Sequence, residues 1–143
     1  MILDRAAISR LVPHAGAMCL LHEVLSCDER EIVCRATSHR DSTHPLRDGD
    51  ILPATCGIEY GAQAIAVHGA IAHGLGGRRG MLAGARDVTF AVQRLDDIAD
   101  DLVVRAQSLV VEDARLLYEF TLHAGGRELV RGRAAVVLIA NGA

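Results

Sequence analysis

One carboxylate stands in a stretch that is otherwise almost free of polar groups. From Pro53 to Leu75 the chain reads P-A-T-C-G-I-E-Y-G-A-Q-A-I-A-V-H-G-A-I-A-H-G-L, with Glu59 near the start and Gln63 four residues on. In a helix these two side chains share a face. Burying a carboxylate is costly unless it is paired, neutralised or lining a cavity. Glu59 therefore reads as a site carboxylate, or as an acid turned outward at a helix start, where the dipole favours it. The second candidate is His44, in the polar segment His39 to Leu52, which carries Asp, Arg and His with Pro45 and Gly49. A connection of that length is usually functional or mobile, and this one leads to the helix start, where its polar residues can gather. The plain alternative for His44 is an exposed loop histidine. Cys19, Cys27, Cys34 and Cys56 have no C-x-x-C spacing, and the 7 histidines form no H-x-x-x-H pair. Zinc and dithiol chemistry are not expected, nor is any cofactor.

The element that must hold Glu59 is a helix from Pro53 to Leu75, about six turns long. Pro53 suits its first position, and Gly74, Gly76 and Gly77 mark its end. Small and apolar residues surround it on every side, which predicts burial. Before it come a short helix within Ile2 to Val12, with Asp4 as cap, and a hairpin of Met18–Ser26 with Ile32–Ser38. After it comes an extended Met81–Val92, in which Gly84 suits a bulge or the close approach of a ligand. An acidic connection, Leu95–Asp101, leads to strands at Leu102–Glu112, Leu116–Ala124 and Glu128–Ala140 joined by tight turns. This order predicts an α+β fold in which an antiparallel sheet curls around one long buried helix. Such a sheet has open edges, and pairing through one of them into a two-fold dimer removes it.

The composition bounds the partners. The 143 residues suit one domain, 1–143, and a net charge of -3 gives nucleic-acid binding no electrostatic support. All 15 basic residues are arginine. The start has no basic segment followed by an apolar run, and no apolar run is long enough to span a bilayer. The expectation is a cytoplasmic protein with reduced thiols, bound neither to membrane nor to nucleic acid.

Three segments resemble the hotdog-fold β-hydroxyacyl-acyl-carrier-protein dehydratases of type II fatty-acid synthesis. L-V-P-H-A-G-A-M-C-L-L-H-E-V at Leu11 to Val24 is similar to the family's L-P-H-x-x-P-x-L-L-V-D-x-V. L-P-A-T-C-G-I-E-Y-G-A-Q-A at Leu52 to Ala64 resembles M-P-G-x-x-x-x-E-x-M-A-Q-A, and G-M-L-A-G-A-R-D-V-T-F at Gly80 to Phe90 resembles G-x-L-x-G-x-x-x-x-x-F. The family's G-H-F-P-G-x-P stands here as T-H-P-L-R-D-G-D, and the glycine after the helix proline is Ala54. These departures look most like the small branch found in aryl-polyene-type gene clusters.

The resemblance implies a 3-hydroxyacyl-thioester dehydratase that yields a trans-2-enoyl product. It makes His44 the base that removes the α-proton and Glu59 the acid that expels the β-hydroxyl as water. Histidine is the usual base near neutral pH, and a carboxyl in a dry site can stay protonated. The Ala54 and Thr55 amides would hold the thioester oxygen, with Gln63 and Gly84 beside the substrate. The implied partners are an acyl carrier protein or coenzyme A thioester, and a second hotdog subunit in a homodimer or heterodimer. Two alternatives remain, an acyl thioesterase using Glu59 and a non-catalytic subunit of a mixed dimer. His14, His68, His73, Tyr60 and Cys56 read as structural residues, with His68 and His73 on different helix faces. Arg78, Arg79 and Arg86 could meet a phosphate or an acidic carrier.

Overall fold

Asp4 ends a two-residue strand, β1 (Leu3–Asp4), and its Oδ1 accepts the Ala7 N–H at 2.9 Å, capping helix α1 (Arg5–Leu11). The computed structural model describes residues 2–11, 18–75 and 78–139. The expected first hairpin forms from β2 (Glu23–Cys27) and β3 (Glu31–Ala36), paired antiparallel. β2 begins later than the apolar pattern suggested, because the backbone of Met18 and Leu20 is bonded to the Gln63 side chain instead of to a strand.

The central helix is shorter than expected. Pro53 opens a 3-10 turn over Ala54–Cys56, and the α-helix α2 runs for 16 residues, Gly57–Ala72. Gly74, with φ 65, lies just past its end. The other two glycines of the expected stop signal lie outside the described residues. Four antiparallel strands follow, β4 (Arg79–Phe90), β5 (Leu102–Glu112), β6 (Arg115–Ala124) and β7 (Arg127–Ile139).

All strands join one sheet in the order β1-β2-β3-β5-β6-β7-β4, with every pairing antiparallel. α2 crosses its concave face against β3, β4, β5, β6 and β7. Inward residues such as Cys34, Val104, Phe120 and Val136 meet Tyr60, Ala64, Ile65 and Val67 of the helix, which is why the helix is apolar all round. Close approach needs small residues. A Cβ on Gly61 would lie 2.6 Å from the Phe120 ring, so only glycine lets this turn sit on β6.

Two details place the functional side chains. β4 is an edge strand after the crossover, and it carries the exposed apolar residues Met81, Leu82 and Phe90. Its pairing to β7 slips between Leu82 and Gly84, so the bulge expected at Gly84 is present.

Candidate functional site

Glu59 sits in the first turn of α2, half-buried, and faces the edge of the sheet. It lines a narrow cleft with Ala62, Gln63 and Ala66 of the helix, Gly80 and Leu82 of β4, and Val136 of β7. No described residue forms a hydrogen bond or ion pair with its carboxylate. The cleft holds about 10 Å³, room for one water-sized molecule and not for an acyl thioester. Two of its lining residues, Gly80 and Leu82, belong to β4, whose outer edge has no neighbouring strand among the described residues. A partner along that edge would extend it.

Gln63, one turn on, lines the same cleft, but both ends of its amide are committed. Oε1 accepts the Leu20 N–H at 2.9 Å and Nε2 donates to the Met18 carbonyl at 2.7 Å. Gln63 thus anchors the chain before β2, with one bond at each end of its amide already committed to the backbone.

His44 is not an exposed loop residue; it is 5% exposed. Its ring points at α2 one residue past Glu59, where Nε2 lies 3.0 Å from the Tyr60 hydroxyl. Nδ1 accepts the Leu46 N–H at 3.1 Å. Tyr60 continues to Ser38 Oγ at 2.7 Å, and Ser38 donates to the Leu20 carbonyl at 2.8 Å. Burial, and next the nearby Arg47 charge, hold His44 below the ordinary histidine range, and burial pushes the Tyr60 phenol up. His44 also lines a polar pocket of about 350 Å³ with Arg5, His22, Ser38 and Asp41, a different space from the Glu59 cleft.

The remaining expected residues fall elsewhere. The Ala54 N–H donates to the Gln93 carbonyl at 2.9 Å, so it is already used, and Thr55 is exposed. Gly84 would face the Glu59 cleft if β4 alternated regularly from Gly80 through Leu82. The bulge flips it to the outer face, where it lines a pocket of about 410 Å³ with Arg86, Leu117, Arg133 and Ala135. Arg86 lies directly opposite Arg133 there.

His68 and His73 do meet, contrary to expectation, with ring centroids 5.5 Å apart. The helix ends at Ala72, and His73 leaves it at φ -124 and turns back. His68 itself is fully buried, bonded to the Tyr118 hydroxyl and, at 2.7 Å, to the Asp28 carbonyl. His14 and the side chain of Arg79 lie outside what the structure describes. Sequence reasoning placed Tyr60 in the core and missed its bond to His44; the one signal was its position beside Glu59.

An antiparallel sheet curled round one helix, with a carboxylate at the helix start and an open edge beside it, defines a hotdog fold. A family model described as ApeP-like, ApeP dehydratase, matches residues 6–141, and the chain belongs to that dehydratase family. Among solved structures it is similar to the dehydratase heterocomplex ApeI:P from Xenorhabdus doucetiae. That match has 26% identity over 94% of this chain and 91% of that one, with a TM-score of 0.82. Zebra fish thioesterase superfamily member 2 (16% identity, 95% and 93% covered, TM-score 0.63) shares the fold. So does the E. coli PaaI protein from the phenylacetic acid degradation operon (14%, 93% and 88%, 0.61). At those identities the two show the fold alone. No curated protein matches. The expected hotdog fold and dehydratase family are both met. No helix among the described residues is long and apolar enough to cross a membrane.

Proposed function

We propose that this chain is one subunit of a cytoplasmic dehydratase that removes water from a 3-hydroxyacyl thioester, carried on an acyl carrier protein or on coenzyme A. It pairs along β4 with a related hotdog subunit. The observation that carries this reading is Glu59, a carboxylate without a hydrogen-bond or ion-pair partner among the described residues, in a cleft walled on one side by the edge strand β4. In the reaction a base takes the α-hydrogen as a proton, the electron pair moves toward the thioester carbonyl, and the C–O bond to the β-hydroxyl breaks. Glu59 gives its proton to that hydroxyl, which departs as water. The product is the trans-2-enoyl thioester. His44 can serve as base only by giving up the hydrogen bond from Leu46, and its place in the reaction is taken up below. The family match and the likeness to a dehydratase heterocomplex support the mixed pair.

Mass spectrometry of a 3-hydroxyacyl carrier protein incubated with the chain and an ApeI-type subunit tests this. Loss of one water, abolished by Glu59→Gln, is the expected result. Release of the free acid instead would make the chain a thioesterase, and an unchanged substrate would remove the dehydratase reading.

A further inference from the structure

The hydrogen bonds around His44 determine which nitrogen carries its proton. Nδ1 accepts the Leu46 N–H at 3.1 Å, so Nδ1 holds a lone pair and no hydrogen. In the neutral ring the proton is then on Nε2, which donates to the Tyr60 hydroxyl at 3.0 Å. Tyr60 donates to Ser38 Oγ and Ser38 to the Leu20 carbonyl, so every donor in the chain has an acceptor.

A base that removes a C–H proton needs a free lone pair within reach of it. The one ring lone pair of this tautomer is occupied by Leu46. The other tautomer would set Nδ1–H against the Leu46 N–H, two donors facing each other at a ring only 5% exposed. Leaving such a buried donor without an acceptor is costly. The cause lies in the order of residues. Proline follows His44 directly, and the residue two places on is Leu46, which has an N–H to give. In G-H-F-P-G the proline itself stands two places on, where it has none.

We infer that the Leu46 amide and the Tyr60 hydroxyl lock His44 in its Nε2–H form, so that this chain supplies the acid Glu59 to a shared site and takes the base from the subunit paired along β4. The mixed dimer then has a single working site, and the reciprocal combination built on His44 is silent. Tyr60 is a positioning residue for a histidine that does no proton transfer. This inference rests on the dehydratase reading above.

Long-range proton–nitrogen NMR of the chain reports the His44 tautomer directly. The mixed dimer with an ApeI-type subunit, given a 3-hydroxyacyl N-acetylcysteamine thioester, reports its role. The expected results are a Nε2–H ring and a rate of water loss that His44→Gln changes by less than about threefold. Glu59→Gln lowers the same rate by roughly 10²-fold or more, the usual worth of a general acid. A Nδ1–H ring overturns the lock. A His44→Gln loss as large as that of Glu59→Gln, in a dimer still intact by gel filtration, overturns the silent role. Should His44→Gln fail to fold, Leu46→Pro removes the N–H instead, and a ring that stays Nε2–H in it overturns the part given to Leu46. A wild-type dimer that releases no water removes the dehydratase reading and this inference with it, whatever the tautomer.

Discussion

Gln63 Oε1 accepts the backbone N–H of Leu20 at 2.9 Å, a buried bond that joins residues 43 apart in the chain. With the second bond from Nε2 to Met18 it holds the segment before β2 against the central helix. Gln63→Ala leaves a buried donor and a carbonyl without partners, and each such group costs about 1–3 kcal/mol. Gln63→Ala should therefore lower the unfolding free energy by roughly 2–5 kcal/mol, read as a fall in the urea midpoint at unchanged slope. A loss under about 1 kcal/mol would show that water replaces the amide, and Gln63 would then be free for a ligand.

Two glycines of α2 should respond in opposite ways to alanine. A Cβ on Gly61 would lie 2.7 Å from Phe120 Cγ and 3.2 Å from its Cβ, the root of a fully buried side chain that cannot step aside. Gly61→Ala should cost about 1–3 kcal/mol through overpacking, and Phe120→Leu in the same chain should recover part of it. At Gly69 the close atom is Leu116 Cδ1 at 2.9 Å, the tip of a flexible side chain. There the helical preference for alanine, about 1 kcal/mol, offsets a small shift, and Gly69→Ala should stay within about 1 kcal/mol of wild type. Thermal unfolding of the three variants checks both halves.

What the sequence made legible was whatever is repeated locally. The apolar stretch from Pro53 gave the buried helix, alternation gave β5 with both ends in place, and one acid among small residues gave Glu59. What stayed hidden were bonds between distant residues. Leu95–Asp101 reads as an acidic connection, yet the carbonyls of Ile98 and Asp100 lie 3.0 Å from His39 Nε2, and Asp101 meets Arg35 and Arg40. No period in either segment announces that. Gly84 shows a subtler limit. The bulge was legible, but one extra residue reverses the faces of the side chains that follow, until a second slip between Arg86 and Thr89, so the glycine expected beside the substrate lies away from Glu59.

Three buried histidines predict acid sensitivity. His39, His44 and His68 are each held below the ordinary histidine value, chiefly by burial. Their unfolded counterparts take up protons near pH 6.5 while the folded rings resist. The unfolded state thus binds more protons below that pH, and stability falls as pH drops from 6.5 toward the folded values. Each group contributes a slope of up to about 1.4 kcal/mol per pH unit within that window. Urea unfolding at several pH values between 7.5 and 5 should show the decline, and His68→Gln should flatten it. A profile level over that range would mean the rings are open to water in solution.

A second pH effect should appear lower, at the start of the central helix. The Leu52 N–H donates to Asp96 Oδ1 at 2.9 Å while Arg94 grips the same carboxylate, and the Arg94 contact holds its pKa down to about 2. The Leu95 N–H to the Leu52 carbonyl at 2.8 Å and the Ala54 N–H to the Gln93 carbonyl at 2.9 Å complete a clamp on Pro53. Because the folded value lies below the unfolded 3.8, this stability is fully present above about pH 4 and is lost as pH falls through about 2. Asp96→Ala should remove it at every pH, leaving the buried Leu52 N–H without an acceptor at a cost of about 1–3 kcal/mol. Asp96→Asn keeps an oxygen for Leu52 and should lose less. The clamp also sets where α2 begins, and with it the height of Glu59 against Gly80 and Leu82. Asp96→Ala should therefore slow water loss in the mixed dimer more than Asp96→Asn does, at a temperature where both remain folded. Equal rates in the two variants would separate the clamp from the site and leave it a matter of stability alone.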